Sequence, residues 1–424
     1  MKKILPSERI SNEISELLRQ GISEGEDLLA VLIQKSVKKL IQEILEQEAQ
    51  DYLGRGYYER RPDSNHKGYR NGYEPKTVKT AEGKMVLEVP QLRNTEAPYR
   101  SAFLRQLSSI SPELQRLATE MYVRGLSTRD IEETLKDRDG QPLVSKSAVG
   151  EITESLSEEY ERFCQRDLSG YDVVYLFVDA VYESVRLHLG AKEAILCAWV
   201  ILSNGRKVLL HLELGNKESY DCWLSFFRNM ISRGLRAPLL ITSDGAPGLI
   251  RAIEECFPQS KRQRCLVHKL RNIANKLPRD AIDEVMPKVK NVYYQTDREV
   301  AMLCAIRLVE AYAQKYPAAI KCFQDDLECC LNHIDFPAGH HKHIRTTNLL
   351  ERAFEEQRRR TKVIPRFLDE KSCLKLVYAT LIRVSEKWRR VSITEYDLTL
   401  LKNIRKLYGW NEDENGFISK KLAA

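Results

Sequence analysis

The spacing of apolar residues near the N-terminus is that of an amphipathic helix. Leucine, isoleucine and valine recur three and four residues apart, which places them on one face of a helix with about 3.6 residues per turn. The run comprises Leu29, Ile33, Val37, Leu40, Ile41, Ile44 and Leu45. Such a stripe is typical of a side that faces a core, and a dimer contact or a DNA-binding arm is the alternative. We predict a helical region over residues 1–56.

The pattern changes over residues 57–105, where tyrosines are interleaved with basic residues. Residues 67–73 read Lys-Gly-Tyr-Arg-Asn-Gly-Tyr, and residues 76–81 and 84–90 predict two strands around a turn at Glu82 and Gly83. Basic and aromatic side chains mixed in this way suit phosphate contact and base stacking. An ordinary solvent-facing hairpin explains the pattern equally well.

Residues 106–168 carry a helix-turn-helix pattern. The apolar face of its first helix comprises Leu114, Leu117, Ala118 and Met121. After a glycine-containing break, further helices are predicted to begin near Thr128 and Ser145, both good N-cap types. Helix starts that carry Arg129 and Lys146 are suited to the major groove of DNA, so these two side chains are candidate DNA contacts.

The most regular apolar runs fall within residues 169–270. They predict strands over residues 173–189, 194–202 and 208–214, a helix over 219–233 and a strand over 239–242. The sequence Ser203-Asn204-Gly205 indicates a tight turn. The order β-β-β-α-β is that of an RNase H-like core, in which the first and fourth strands lie side by side.

Helical spacing dominates the remainder of the chain. It predicts an all-α insertion over residues 271–344 and C-terminal helices over residues 345–424 that complete the same domain. The expected fold class is therefore α+β and multidomain. An RNase H-like core is interrupted by an all-α insertion and preceded by helical and helix-turn-helix regions.

Two aspartates stand where a core does not normally place a charge. Asp179 lies within the first predicted strand of this core, and Asp244 directly follows the fourth. An ionised carboxylate at the rim of a buried strand loses hydration at considerable cost, and two such groups close together repel each other. A divalent cation relieves both problems. The pair therefore predicts half of a metal site and metal-assisted phosphoryl chemistry.

Glu351 is the candidate for a third acid, because two aspartates rarely hold two cations and this glutamate opens a late helix. The structural alternative is a capping box, with Asn348 as N-cap and Glu351 at N3. The same helix continues into a basic cluster that suits DNA phosphates, or is an ordinary solvated face. Its members are Arg358, Arg359, Arg360 and Lys362.

Composition excludes several classes of protein. The chain has 67 Lys+Arg against 60 Asp+Glu, a formal net charge of +7, and 43% hydrophobic residues, so extensive disorder is not expected. Its 10 cysteines form no spaced framework, which favours free thiols in a reducing compartment. The sequence contains neither a signal-peptide core nor an apolar run of membrane length, and we expect a cytoplasmic protein.

Several segments together resemble the bacterial insertion-sequence transposases of the Mutator family. They are Val178-Asp179-Ala180, Ser243-Asp244-Gly245, the Arg-Gln-Arg-Cys-Leu-Val-His-Lys of residues 262–269, the Thr-Asn-Leu-Leu-Glu-Arg of residues 347–352, Arg359-Arg360-Thr361-Lys362 and the tyrosine-rich residues 68–73. The resemblance covers nearly the whole chain.

The resemblance implies a DDE transposase with an RNase H-like catalytic domain. Carried over residue by residue, Asp179, Asp244 and Glu351 are its catalytic and metal-binding residues, with two Mg²⁺ or Mn²⁺ ions per active site. It further implies a homodimer that cleaves transposon ends at double-stranded terminal inverted repeats and joins them to target DNA. Such a protein is expected in the bacterial cytoplasm, associated with the nucleoid when bound to DNA, and without a membrane partner.

Cys265 and His268 have the spacing of half a zinc site. A second half could come from Cys329, Cys330, His333, His340, His341 or His343. The resemblance favours a place for His268 beside the active site, where it orients DNA or a carboxylate. Two other functions stay open: a non-catalytic regulator that reads DNA through residues 111–160, and a nuclease of the same fold that cuts without joining.

Overall fold

The chain divides into two compact units in a computed structural model, residues 1–155 and residues 156–424. The residues that the structure describes are 4–21, 27–59, 68–81, 83–137, 139–184, 192–215, 219–362, 364, 367, 369–408, 411–412 and 418–419. Each unit has hydrophobic core clusters of its own.

Two helices open the first unit, α1 (Pro6–Gln20) and α2 (Leu28–Leu53). Asp27 starts α2, because its carboxylate accepts the N–H group of Leu29 at 2.9 Å. The helix ends at Gly54, whose left-handed φ of 65° favours glycine.

One face of α2 packs on the rest of the first unit. Leu45, Ala49 and Leu53 are buried there, and the buried amide of Gln42 exchanges hydrogen bonds with the backbone of Glu88. Of the seven residues in the predicted stripe, Leu45 is buried and Ile41 half-buried, whereas the other five are exposed. The core-facing interpretation is therefore wrong for most of the stripe, because α2 meets the core through a different face.

A long antiparallel hairpin follows, formed by β1 (Tyr69–Thr80) and β2 (Gly83–Arg93). The strands extend beyond the predicted ones, and a β-bulge between Arg70 and Tyr73 contains Gly72 with a φ of +85°. The strands enclose a small core with α2. Glu82 of the predicted turn and residues 60–67 lie outside the described residues.

Four helices complete the first unit and lead into the second. They are α3 (Ala102–Gln106), α4 (Pro112–Val123), α5 (Thr128–Thr134) and α6 (Lys146–Gln165). Leu114, Ile131 and Val149 bring α4, α5 and the start of α6 into one core cluster. Leu117 was expected on the apolar face, but it is exposed.

A five-stranded mixed sheet forms the centre of the second unit. Its strands are β3 (Val173–Ser184), β4 (Lys192–Leu202), β5 (Lys207–Gly215), β6 (Leu240–Ser243) and β7 (Lys261–Arg264). The spatial order is β5-β4-β3-β6-β7, antiparallel from β3 to β5 and parallel from β3 to β7. The first and fourth predicted strands are thus neighbours. Residues 185–189 of the predicted first strand lie outside the described part.

Two helices pack on this sheet, α7 (Tyr220–Ser232) and α8 (Pro247–Cys256). Trp223, Phe226 and Phe227 of α7 are buried in the same core cluster as Val178 of β3. Burial of aromatic side chains on this scale is the main source of stability for such a layer.

Residues 266–344 are helical and have their own core cluster. The helices are α9 (Leu266–Ala274), α10 (Arg279–Tyr293), α11 (Arg298–Tyr312), α12 (Pro317–Gln324), α13 (Leu327–Leu331) and α14 (His341–Ile344), with 3₁₀ turns at Asn332–Asp335 and Ala338–His340. α12 and α13 are separated by a break at Asp326, whose φ is +60°.

The C-terminal elements are α15 (Asn348–Thr361), α16 (Glu370–Glu386), α17 (Glu395–Leu407) and the short strands β8 (Asn411–Glu412) and β9 (Ile418–Ser419). α16 packs against both α15 and β5. Within the part of the chain that the structure describes, every helix is too short or too polar to cross a bilayer.

Candidate active site

Asp179 and Asp244 occupy matching positions on two adjacent parallel strands. Phe177 of β3 is in register with Thr242 of β6, and each aspartate follows two residues later. Neighbouring strands are about 4.8 Å apart. Because both side chains are half-buried and leave the same end of the strand pair, the sheet brings these two predicted site residues to one edge.

The backbone after Asp244 turns sharply towards α8. The Asp244 Oδ1 atom accepts the N–H group of Ala246 at 3.0 Å, and Gly245 has a left-handed φ of +87°. A Cβ atom at Gly245 would overlap the guanidinium of Arg264. Arg264 is buried, and its Nε and Nη1 atoms have no hydrogen-bond partner among the described residues. A buried guanidinium therefore packs directly on the turn that carries Asp244.

Glu351 lies in the first turn of α15, as predicted from the sequence. The N-cap of this helix is Thr347 and not Asn348. Glu351 donates its backbone N–H to the Thr347 carbonyl at 3.1 Å, and its carboxylate faces His268. The capping-box alternative is therefore wrong: its expected N-cap is the first helical residue, and the glutamate side chain is engaged elsewhere.

His268 forms an ion pair with Glu351, with 3.2 Å between His268 Nε2 and Glu351 Oε1. A hydrogen bond with Cys265, together with the negative charges of Cys265, Asp179 and Glu351, raises the pKa of His268 to about 9 despite its partial burial. His268 is thus protonated near neutral pH. It links Asp179 and Glu351 electrostatically, although they are far apart in sequence.

Cys265 joins this group from the buried side. Burial alone would raise the pKa of its thiol, but hydrogen bonds from His268 and Thr347 and the His268 charge lower the pKa overall. The Thr347 N–H group donates to Cys265 Sγ at 3.3 Å, and the Thr347 hydroxyl lies 3.4 Å from the same sulfur. Cys265 therefore holds the start of α15, and it interacts electrostatically with His268.

Two further hydrogen bonds fix the segment that precedes Glu351. The Thr242 hydroxyl of β6 donates to the Ile344 carbonyl at 2.7 Å. The Leu266 N–H group, directly after β7, donates to the Arg345 carbonyl at 2.9 Å. Residues 344–347 are consequently fastened to the ends of β6 and β7, at the same edge as Asp244.

No group of three or more His, Cys, Asp or Glu side chains is arranged to hold a metal ion within the described residues. This applies to the three acids and to the zinc alternative alike. Among the proposed zinc ligands, His333, His340 and His341 each bond elsewhere: to the Cys330 carbonyl, to the Tyr175 hydroxyl and to the Phe336 carbonyl.

The chemistry of the three acids nevertheless fits Mg²⁺ or Mn²⁺. These ions prefer oxygen ligands, and aspartate and glutamate carboxylates are the usual protein donors. Asp179 and Asp244 present carboxylates at one sheet edge, and Glu351 is paired with a cation, His268. The protonated imidazole supplies part of the positive charge that these carboxylates need.

The candidate DNA-contacting residues are found on exposed helix surfaces. Arg358, Arg359 and Lys362 are exposed at the end of α15, whereas Arg360 is half-buried. Arg359 and Arg360 both pair with Glu356, which partly neutralises the cluster. In the first unit, Arg129 and Lys146 are exposed at the starts of α5 and α6.

Sequence reasoning missed two residues of this site, Thr347 and Arg264. Thr347 stands in the sequence analysis only as the first residue of the family-like segment 347–352, and its contact with a cysteine 82 positions away has no local signature. Arg264 stands there only as a member of the family-like segment 262–269. Its position at the end of a strand beside an Asp-Gly turn was the available sign that it is buried.

Comparison with known proteins places the chain among transposases. The sequence model described as "Transposase, Mutator family" matches residues 11–391. The transposase for insertion sequence element ISRM5 of Rhizobium meliloti is 33% identical over 357 residues, covering 84% of this chain and 88% of that protein. The transposase for insertion sequence element IS256 in transposon Tn4001 of Staphylococcus aureus is 28% identical, covering 89% and 95%.

A solved structure titled "Drosophila P element transposase strand transfer complex" covers 70% of this chain and 90% of its own, at 11% identity. The TM-score is 0.29, which is too low to establish a shared fold.

Proposed function

The chain belongs to the Mutator family of transposases, and we propose that it is a DDE transposase. In this proposal it cuts the ends of its insertion sequence at terminal inverted repeats and joins them to target DNA. Asp179, Asp244 and Glu351 are the catalytic acids.

One observation carries this proposal: the two aspartates share a register position on adjacent parallel strands, and the segment leading to Glu351 is fastened to the same edge. Residues that lie far apart in sequence thereby converge. A structural role explains one half-buried aspartate at the edge of a sheet. It does not explain two aspartates in register together with a glutamate that is paired to His268.

The metal ligands would be the carboxylates of Asp179, Asp244 and Glu351. When bound, two divalent cations activate the attacking oxygen and stabilise the leaving oxygen of an in-line displacement. In the proposed sequence, water attacks a phosphodiester first, and the freed 3′-hydroxyl then attacks the target strand. The protein contributes alignment and charge neutralisation, since phosphoryl transfer needs little covalent help.

His268 and Cys265 act as positioning residues in this proposal. His268 holds the Glu351 carboxylate by an ion pair of 3.2 Å. Cys265 holds the N-cap residue Thr347 and interacts electrostatically with His268. Replacing either one would misplace Glu351 without removing an acid.

The strand order β5-β4-β3-β6-β7 supports an RNase H-like catalytic core, with residues 266–344 as an all-α insertion between β7 and α15. The cluster of α4, α5 and the start of α6 supports a helix-turn-helix function in reading DNA ends. Arg129 and Lys146 would contact DNA from this region, and the basic end of α15 would contact phosphates near the acids.

The test is Asp179→Asn in an assay of Mg²⁺-dependent cleavage and strand joining on DNA that carries the insertion-sequence ends. We expect cleavage to fall about a thousandfold or more, because metal-assisted charge stabilisation contributes several kcal/mol. Binding of end DNA should change little. Asp221→Asn, an exposed acid in the first turn of α7, is the matched control and should cleave normally.

Three outcomes would overturn the proposal. Loss of folding or DNA binding together with cleavage would assign Asp179 a structural role. Absence of cleavage by the wild-type protein on end DNA would favour a non-catalytic DNA-binding regulator. Cleavage without joined products would favour a nuclease of the same fold.

A further inference from the structure

Glu183 of β3 forms a hydrogen-bonded group with Gln357 and Thr361 of α15, which we call the β3–α15 clamp. Gln357 Nε2 donates to Glu183 Oε1 at 2.5 Å, and the Thr361 hydroxyl donates to the same oxygen at 2.9 Å. Gln357 Nε2 also donates to the Thr361 hydroxyl oxygen at 3.2 Å. The clamp therefore joins a strand and a helix that are 174 to 178 positions apart in sequence.

The two clamp residues of α15 are polar side chains on the buried face of this helix. Gln357 is 0% exposed and Thr361 is 3% exposed. The other buried residues at the same helical spacing are Leu350, Ala353 and Phe354. A buried hydrogen-bonded amide gains little net stability over an apolar side chain of similar shape, but its bonds require one distance and one direction. The clamp is therefore suited to fixing the position of α15.

The clamp lies on the same two elements that carry Asp179 and Glu351. Glu183 follows Asp179 by four residues in β3, and alternation along a strand places both side chains on one face. Gln357 follows Glu351 by six residues in α15. These separations correspond to about 13 Å along the strand and about 9 Å along the helix. Because His268 is influenced by the charges of both acids, α15 runs along β3 from the acids to the clamp.

Both ends of α15 are fastened by hydrogen bonds. At the start, the Thr347 N–H group donates to Cys265 Sγ at 3.3 Å. Beyond the end, the Phe367 N–H group donates at 3.0 Å to the carbonyl of Ser184, the next residue of β3 after the clamp. Apolar contacts between the two ends are non-directional and allow small shifts of the helix. The position of Glu351 therefore depends on the clamp as well as on the helix start.

We propose that Glu183, Gln357 and Thr361 are positioning residues for the catalytic acid Glu351. This inference rests on the proposed function and deepens it, because it assigns the alignment of Glu351 with the two aspartates to contacts at the far end of α15. A site that holds metal ions needs its ligands within about 0.5 Å of the productive geometry. Loss of a residue that orients such a ligand typically lowers activity or metal affinity by about 10- to 100-fold.

The test exchanges the donor and the acceptor of the clamp. Gln357→Glu alone removes the amide donor and sets a second carboxylate beside Glu183, so the hydrogen bond is lost and the two charges repel each other. Adding Glu183→Gln supplies an amide from the strand, and the pair can then form its hydrogen bond with the roles reversed. Rescue by the double variant distinguishes this contact from general damage at either position.

Two quantities are measured on the full-length chain: Mg²⁺-dependent cleavage of end DNA, and amide hydrogen exchange of α15 without DNA or metal. We expect Gln357→Glu to slow cleavage by about tenfold or more and to speed exchange in α15, while binding of end DNA changes little. The double variant should return both quantities to near the wild-type values. Gln324→Glu, which makes the same charge change at an exposed position of α12, is the matched control and should behave as the wild type.

Cleavage by Gln357→Glu at the wild-type rate would overturn the inference, even if exchange in α15 became faster, since the clamp would then serve stability alone. A double variant as slow as Gln357→Glu would also overturn it. If Gln357→Glu unfolds the chain, Thr361→Val decides, because it keeps the side-chain shape and removes the hydroxyl; it should slow cleavage, and a wild-type rate would overturn the inference.

The inference and the catalytic proposal fail on different results. Normal cleavage by Asp179→Asn overturns the catalytic proposal. An inactive Asp179→Asn together with normal cleavage by Gln357→Glu overturns the role of the clamp alone.

Discussion

Replacing Gly245 by alanine tests the packing of the turn that carries Asp244. The φ of +87° costs a residue with a side chain about 1–2 kcal/mol. The added Cβ would also overlap the buried guanidinium of Arg264, and overpacking of this kind costs about 1–3 kcal/mol. We expect the free energy of unfolding of the second unit to fall by about 2–5 kcal/mol.

A double-mutant cycle with Arg264→Ala separates these two contributions. Without the guanidinium the overlap disappears and the backbone strain stays, so Gly245→Ala should then cost only about 1–2 kcal/mol. Gly72→Ala measures strain alone, because its φ is +85° and no described atom lies within 4 Å of the added Cβ.

The assay is denaturant unfolding followed by tryptophan fluorescence. The four tryptophans of the chain all lie in residues 156–424, so this signal reports the unit that contains Gly245. Circular dichroism follows the Gly72→Ala control in the other unit. An equal cost of Gly245→Ala with and without Arg264 would refute the reasoning, since it would mean that the two groups do not interact.

Three other substitutions have expected outcomes. Trp223→Ala should lower the free energy of unfolding by about 3–5 kcal/mol, because it opens a cavity beneath α7. Denaturant melts measure this loss, and a loss under about 1 kcal/mol would contradict the burial of Trp223. Burial lowers the pKa of His333 to about 3, so the unfolded chain, with a histidine pKa of about 6.5, binds the extra proton. The free energy of unfolding should therefore decline as pH falls from about 6.5 towards 3, and this group should contribute up to about 1.4 kcal/mol per pH unit. His333→Gln should flatten the decline. An unchanged slope would exclude His333 as its source. Lys362→Ala should weaken binding of all DNA sequences alike and reduce the salt dependence of the binding constant by about one phosphate contact. Fluorescence anisotropy at several salt concentrations measures both effects. A sequence-specific loss of binding would point to base contact instead.

The positions of Asp179 and Asp244 could be predicted because the strands around them are unusually clear in sequence. Long apolar runs separated by turn residues leave few topologies, and the β-β-β-α-β order makes the first and fourth strands neighbours. The register adds what the sequence could not: the two aspartates stand at equal distances beyond the last paired residues, Phe177 and Thr242.

The surroundings of Glu351 could be predicted only in part. The helix start was visible, but its N-cap is one residue earlier than expected, and the direction of the Glu351 side chain depends on His268. That contact joins distant parts of the chain, so no local pattern contains it. Helix-propensity rules describe where α15 begins, but they do not identify His268 as the partner of the Glu351 side chain.

The α2 helix shows a different limit of sequence patterns. Periodicity identifies apolar faces, but α2 has two of them, and nothing in the spacing says which one the hairpin covers. Leu45 and Leu40 are both leucines in one helix, yet the first is buried and the second exposed. Only the tertiary structure distinguishes them.

The hydrogen bond between Leu266 and Arg345 has a consequence for how the helical segment between them can vary. The Leu266 nitrogen and the Arg345 oxygen lie 2.9 Å apart, so the chain leaves the sheet and returns to it at one place. Near that place the segment is bound to the site, because His268 pairs with Glu351 and Gln263 of β7 bonds to Cys330 and His333. α10 and α11 instead pack within the segment's own core cluster. These two helices can therefore be shortened or extended while the three acids keep their places.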